Sequence, residues 1–198
     1  AMRGSRRPCA AYDLTFSPPK SVSALWAIGD SEVASAVEAA HDAAITSVID
    51  WIEREAAWTR TGRNGVNHER VEGLIVSRWQ HRTSRSGDPQ LHTHCAVLNK
   101  GRIEGDEKWR ALDGQGIYAS SAVGNARYLA ALESELTDRL GIEWSAPTGA
   151  AREIVGIPAE LRSLWSKRAA DIASAVRDEV GSPEGRGRAL HSGRTYHR

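Results

Sequence analysis

The sequence predicts an α+β domain in which a central antiparallel β-sheet is flanked by α-helices. Two observations favour this class. In some short segments apolar and polar residues alternate, as in strands, and in the segments between them apolar residues recur every three or four positions, as in helices. A third is that the strand-like segments 71–79 and 88–99 are joined by a polar loop, so they are expected to pair antiparallel. At 198 residues and 40% hydrophobic, the chain is long enough for one well-buried core.

The first predicted element is a strand over residues 12–17. Apolar and polar side chains alternate there, which is typical of a strand that is buried on one face only. Leu14 and Phe16 share one face, and Asp13 therefore points to the other. The carboxylate of Asp13 is expected on the polar face of the sheet.

Two helices follow this strand. Ser17 is predicted to cap a short helix that begins with prolines and ends at Gly29. Ser31 is predicted to cap a long helix, whose apolar residues recur at three- and four-residue steps from Val33 to Trp51. One stripe of the long helix is therefore expected to pack on the core.

The middle of the chain predicts the antiparallel pair. A turn at 61–65 precedes the strand over 71–79, and the loop 83–89 leads into a second strand that carries two histidines. A shorter hairpin is expected around 104–106, returning through 108–110. These segments supply most of the predicted sheet.

The last third of the chain predicts helices. One is expected from about Asp113 to Leu140, ended by Gly141. A strand is expected over 152–156, and Pro158 opens another helix that continues past Ile172 and Val176 and ends near Gly181.

Composition and charge define three regions. Residues 1–11 form a basic N-terminal tail, residues 12–181 form the core domain, and residues 182–198 form a linker or disordered tail rich in glycine and arginine. The 26 Lys and Arg residues nearly balance the 25 Asp and Glu residues, so any polyanion site must be a local patch. No segment is apolar enough to span a membrane, and two cysteines without a disulfide framework fit the cytoplasm.

The residues that carry chemistry are histidines. His92 and His94 lie two apart on a predicted strand, so their rings emerge on one face. His81 lies at the end of the neighbouring strand, and with near-register pairing three imidazoles meet. Three neutral nitrogens leave an open position on a divalent ion, which is typical of a catalytic site. The ion could be Mg, Mn, Zn or Ni, and the alternative is a cluster of histidines that are merely hydrogen-bonded.

Three motifs resemble the conjugative relaxases of the TrwC/TraI family, which are HUH endonucleases. They are HRTSRSGDPQLHTH at 81–94, DLTFSPPKSVS at 13–23 and KWRAL at 108–112, and the similarity extends over residues 12–180. The resemblance implies a palm-like fold, with a central antiparallel sheet that carries the histidines between flanking helices.

The resemblance also implies a reaction and roles for residues. The three histidines would bind a divalent cation that polarises the scissile phosphate of single-stranded plasmid DNA at the origin of transfer, and a tyrosine would attack that phosphate. Asp13 matches the family aspartate that orients a metal-binding histidine and assists the tyrosine. The positions expected to hold DNA phosphates are Lys20, Arg85, Gln90 and Arg110. Other relaxosome proteins are further candidate partners.

The family's catalytic tyrosine lies well before the motif that contains Asp13, and only twelve residues precede Asp13 here. Tyr12 is expected to point to the opposite face, Tyr118 and Tyr128 lie in predicted helices, and Tyr196 lies in the tail. The expectation is a relaxase core cut from a longer protein, or one truncated naturally at its start, that cannot nick DNA as it stands.

Two alternatives remain. One is a non-catalytic homologue that keeps only the binding of metal and single-stranded DNA. The more remote one is a cupin-like metalloenzyme, which also uses two histidines on a strand. A cupin requires a glutamate four or five residues after the second histidine, and Leu98 and Asn99 stand there.

Overall fold

The structure is a computed structural model that describes residues 9–149, 151–168, 170, 171 and 174. It confirms the α+β class: an antiparallel sheet is covered on one face by helices. The predicted tail 182–198, with Tyr196, and the first eight residues lie outside the described part. The elements in chain order are β1 (Ala11–Phe16), α1 (Lys20–Ile28), α2 (Ser31–Glu55), β2 (Trp58–Thr61), β3 (Asn67–Arg70), β4 (Val76–Thr83), β5 (Pro89–Leu98), α3 (Gly114–Ala119), α4 (Ser121–Leu140) and α5 (Ala159–Leu164).

The main sheet has the strand order β1–β5–β4, and both pairings are antiparallel. The predicted pairing of the two central segments is therefore confirmed, but the predicted bounds 71–79 are wrong. β4 begins only at Val76 and continues to Thr83. The preceding backbone bonds elsewhere: the Val71 N–H donates to the Ala57 carbonyl, and the Glu72 N–H donates to the Arg102 carbonyl.

A second sheet, formed by β2 and β3, is absent from the sequence-based prediction. The prediction has only the turn at 61–65, which the structure places between these two strands as a 3₁₀ turn over Arg63–Gly65. Asn64 adopts φ 62°, a left-handed conformation that asparagine tolerates better than most residues. Only Thr59 is buried in this hairpin, so its sequence lacks a clear apolar alternation.

Both predicted helix caps at the N-terminal side are wrong. Pro19 occupies the cap position of α1, while the Ser17 hydroxyl accepts a hydrogen bond from the Gln90 amide at 2.7 Å. Asp30 caps α2, because its carboxylate accepts from the backbone N–H groups of Glu32 and Val33.

The predicted helix over 113–140 is two helices that meet at Ser120. They separate because Ile117 of α3 packs in a small cluster around Val97, whereas Leu132 of α4 packs in the main core. The end of α4 at Gly141, with φ 63°, is confirmed.

Two segments contain less regular structure than predicted: residues 101–110, before α3, and residues 144–156, after α4. The strand over 152–156 is reduced to one bridge between Trp144 and Ile154, and the hairpin around 104–106 to a turn at Gly105 and bridging of Gly101 with Arg110. Pro158 caps α5, which ends at Leu164. The backbone is helical again at 167, 168, 170, 171 and 174, and the rest of the predicted continuation lies outside the described residues.

The main core lies between the sheet and the helices α2 and α4. The buried face of β5 contributes Leu91 and Cys95, and the helices contribute residues such as Val37, Ile45 and Leu136. Burial of this apolar surface contributes about 25 cal/mol per Å². One face of the sheet is therefore fixed against helices and the other remains available for a site. No helix in the described ranges is long and apolar enough to cross a membrane.

Candidate metal centre

The three predicted histidines meet on the open face of the main sheet. In the antiparallel register His81 lies directly opposite His92, and His94 lies opposite both Trp79 and Thr15. The ring centroids are 5.1 Å apart for His81 and His92, 5.4 Å for His81 and His94, and 5.5 Å for His92 and His94. The side chains therefore form a compact triangle.

The size of this triangle suits a tetrahedral ion. With metal–nitrogen bonds of about 2.1 Å, the centres of imidazole ligands lie about 3.2 Å from the ion and about 5.3 Å from one another. The orientation of the rings does not yet suit it, because His81 stacks on His92 at an interplanar angle of 22°. Among the described residues, no group of three His, Cys, Asp or Glu side chains is placed to hold a metal as it stands. Rotation of the rings is what binding would require.

Hydrogen bonds set the tautomer of two of the histidines. Nδ1 of His92 lies 2.9 Å from the Gln90 carbonyl oxygen, and Nδ1 of His94 lies 3.0 Å from the Asp13 carboxylate. Both partners are acceptors, so in each neutral ring Nδ1 carries the proton. The Nε2 lone pairs of His92 and His94 are left free to bind a cation.

Asp13 and Thr15 hold the ring of His94 from β1. The Thr15 hydroxyl lies 3.1 Å from the same Nδ1 that contacts Asp13. Thr15 is missing from the sequence-based prediction, although it follows Asp13 by two residues and shares its face. The pairing of β1 with β5, which places Thr15 opposite His94, is what the sequence could not show.

A second group missed by the sequence analysis lies beneath the histidines. His41 of α2 is buried, with Nε2 at 2.9 Å from the Thr93 hydroxyl and Nδ1 at 2.8 Å from the Tyr128 hydroxyl. Burial lowers the pKa of His41 to about 4 and raises the pKa of Tyr128. This neutral network ties β5 to α2 and α4 at the residue between His92 and His94. The available signal was a histidine within the apolar stripe of α2.

Two of the predicted DNA contacts have partners inside the protein. The Lys20 ammonium donates to the Pro89 carbonyl at 2.7 Å and to the Gln90 amide oxygen at 3.3 Å. Burial lowers the pKa of Lys20, and the nearby Asp88 carboxylate opposes this effect. These contacts join the start of α1 to the start of β5, so Lys20 and Gln90 have a structural role whether or not they also contact DNA.

The other two predicted contacts lie at separate places. Arg85 is exposed in the turn between β4 and β5, at the same end of the hairpin as His81 and His92. Arg110 pairs with the Asp106 carboxylate four residues earlier. Of the four predicted contacts, Arg85 is the one whose exposed charge lies at the end of the hairpin that carries His81 and His92.

Of the tyrosines within the described residues, Tyr12 and Tyr128 are buried and Tyr118 is exposed. Tyr12 is buried on the helix-covered face, with its hydroxyl 3.5 Å from the Leu112 carbonyl, and burial raises its pKa. Tyr128 is buried in the network with His41. Tyr118 is exposed and lines, with Asp13 and Thr15, a cavity of about 220 Å³ beside β1.

Replacing Asp13 with alanine is expected to weaken binding of a divalent ion by about 10- to 100-fold, because an outer partner of a ligating imidazole fixes its orientation and basicity. Asp13 is exposed, so the thermal midpoint of unfolding should change little. Titration of the chain with Zn²⁺ measures the affinity. Asp50→Ala, at an exposed aspartate of α2, is the control. Equal affinities of the Asp13→Ala and Asp50→Ala variants would remove this role of Asp13.

An antiparallel sheet with a triangle of histidines on its open face is the site architecture of an HUH endonuclease. A sequence model described as TrwC relaxase matches residues 2–196. The chain therefore belongs to the TrwC relaxase family.

Relatives and solved structures agree with this assignment. The chain is 31% identical over 186 residues to the multifunctional conjugation protein TraI of Escherichia coli (strain K12). The aligned region covers 89% of this chain and 10% of TraI. It superimposes with a TM-score of 0.79 and 33% identity on a metal-bound structure of the conjugative relaxase TrwC with oriT DNA, covering 92% of this chain and 61% of that one.

A copper-bound structure of TrwC with oriT DNA gives a TM-score of 0.77 at 34% identity, covering 92% of this chain and 62% of that one. The chain thus spans about a tenth of the length of TraI and about three fifths of the TrwC chains.

Proposed function

We propose that this chain carries the metal- and DNA-binding core of a conjugative relaxase, which acts on single-stranded plasmid DNA at an origin of transfer in the cytoplasm. The observation that carries the proposal is the triangle of His81, His92 and His94 on the open face of a relaxase-type sheet. Relatives support it: one TrwC structure holds oriT DNA, and another holds a 27-mer DNA that comprises the recognition hairpin and the cleavage site.

The three Nε2 atoms would hold the divalent ion, whose chemistry is to polarise a phosphoryl oxygen. The donor set of three imidazoles suits Zn or Ni and is less typical of Mg or Mn. Asp13 would keep the proton of His94 on Nδ1, and the Gln90 carbonyl would do the same for His92. Thr93 would hold the strand between them through His41.

Strand cleavage in this family also needs a tyrosine. Tyr12 faces the core, and its raised pKa disfavours the phenolate. We therefore propose that the 198-residue chain binds DNA without forming a covalent adduct at Tyr12. This is also the behaviour of the second candidate function, a non-catalytic homologue that binds metal and single-stranded DNA.

Binding of single-stranded DNA is expected to weaken as salt rises, because basic side chains release counterions from the phosphates. With about three phosphate contacts, affinity should fall roughly 20-fold between about 50 and 200 mM salt. Arg85→Ala is expected to make the slope of log affinity against log salt concentration shallower by about 0.7, the contribution of one phosphate contact. Fluorescence anisotropy of a labelled oligonucleotide measures both quantities.

Arg54→Ala is the matched control, because Arg54 is exposed at the end of α2 and α2 covers the opposite face of the sheet. It should leave the affinity and the slope unchanged. Affinity that is independent of salt would remove the DNA-binding proposal. Equal effects of the two arginine variants would remove the role of Arg85.

A further inference from the structure

We propose that the indole of Trp79 stacks on a DNA base next to the phosphate held at the histidines; this inference rests on the proposed function. Trp79 pairs directly with His94 and lies two residues before His81 on β4. Its side chain is therefore on the open face, beside the triangle. No role follows for Trp79 from the sequence motifs.

The indole is free to receive a partner. Trp79 is 53% exposed, although a large apolar side chain gains by burial. The next pair along the same face, Ser77 opposite Ala96, consists of small residues that leave the ring uncovered. Among the described residues, an arginine guanidinium lies over the ring of four other tryptophans but not over that of Trp79; those four are Trp26, Trp51, Trp58 and Trp109.

The spacing favours a base of the same strand as the bound phosphate. Directly opposed residues have Cα atoms about 4.5–5.5 Å apart, and residues two apart on a strand are about 7 Å apart. A phosphate held by the histidines would thus place an adjoining base within reach of the indole. Every base has a π-face, so this contact would be tolerant of sequence.

The β4 part of this face carries no fixed charge, which favours a base over an acidic or basic partner; the carboxylate of Asp13, on β1 at the far side of β5, already contacts His94. The residues of β4 that point to it are Ser77, Trp79 and His81, all without a fixed charge. The arginines of β4 point the other way, and they pair with acidic residues of α2: Arg78 with Asp42, and Arg82 with Glu38. A flat, uncharged aromatic surface next to a phosphate site fits a nucleobase.

The test measures binding of the full chain, in the presence of Zn²⁺, to two single-stranded probes: an oligothymidine of twelve nucleotides and an abasic strand of the same length. Trp79→Ala is expected to weaken binding of oligothymidine by about 5- to 150-fold, which corresponds to the loss of one base–aromatic stack. Binding of the abasic strand should not change, because it offers no base to the ring. Trp79→Phe should restore most of the affinity.

Gln80→Ala is the matched control. Gln80 is the exposed neighbour on β4 and is paired with Thr93, so its side chain points to the opposite face. Full affinity of Trp79→Ala for oligothymidine, or an equal loss for both probes, would overturn the inference. Failure of the wild-type chain to bind either strand would instead overturn the proposed function, so the two outcomes are distinct.

Discussion

Replacing His94 with alanine is expected to lower the affinity of the chain for a divalent ion by more than about 100-fold. This exceeds the effect expected for Asp13→Ala, which removes only a residue that orients a ligand. The substitution removes one of three nitrogens and leaves the carboxylate of Asp13 without the ring it orients. His92→Ala should have a similar effect, because its Nε2 is free in the same way. The wild-type chain should hold close to one ion.

Equilibrium dialysis followed by metal analysis measures the occupancy. His68→Ala is the control, since His68 is an exposed histidine of β3 that does not belong to the triangle. It should bind metal as the wild type does. Unchanged occupancy in both His92→Ala and His94→Ala would remove the metal centre.

The free energy of unfolding is expected to fall by about 3 kcal/mol as pH decreases from 6.5 to 4, owing to His41 alone. Burial lowers the pKa of His41 in the folded chain to about 4, against 6.5 in the unfolded chain. Between these values the unfolded chain binds more protons, so stability rises with pH across the window. Well above pH 6.5 the ring is neutral in both states and its contribution is constant.

Urea unfolding at pH 7, 6, 5 and 4 measures this dependence. His41→Gln should lower the free energy of unfolding at pH 7, since the hydroxyls of Thr93 and Tyr128 lose their hydrogen bonds to the imidazole. The free energy of unfolding of this variant should depend less on pH than that of the wild type. His68→Gln, at an exposed histidine of β3, is the matched control for the substitution. A wild-type slope in His41→Gln would contradict the account of the buried network.

The sequence predicted well which side chains share a face of a strand, because side chains alternate between the two faces. Alternation in β1 and β5 determines which side chains share a face, and so Asp13, His92 and His94 could be placed on the open face from the sequence alone. The position of His81 opposite His92 required only that the loop close in register, and the Ser84 N–H closes it by donating to the Asp88 carbonyl at 2.9 Å.

Other features depend on contacts between distant segments, which no local pattern encodes. β4 begins at Val76 rather than 71 because the backbone before it bonds to Ala57 and Arg102. The network of His41 joins residues that are 52 and 87 positions apart in the chain. Thr15 became recognisable as a partner of His94 only once β1 was paired with β5.

The central claim is that three imidazoles from two adjacent strands bind one cation. X-ray absorption at the zinc edge of the Zn²⁺-loaded chain tests it most directly, because it reports the ligands themselves. We expect a first shell with three imidazole nitrogens at about 2.0–2.1 Å, reduced to two in His81→Ala. A shell of oxygens with one imidazole or none would contradict the claim.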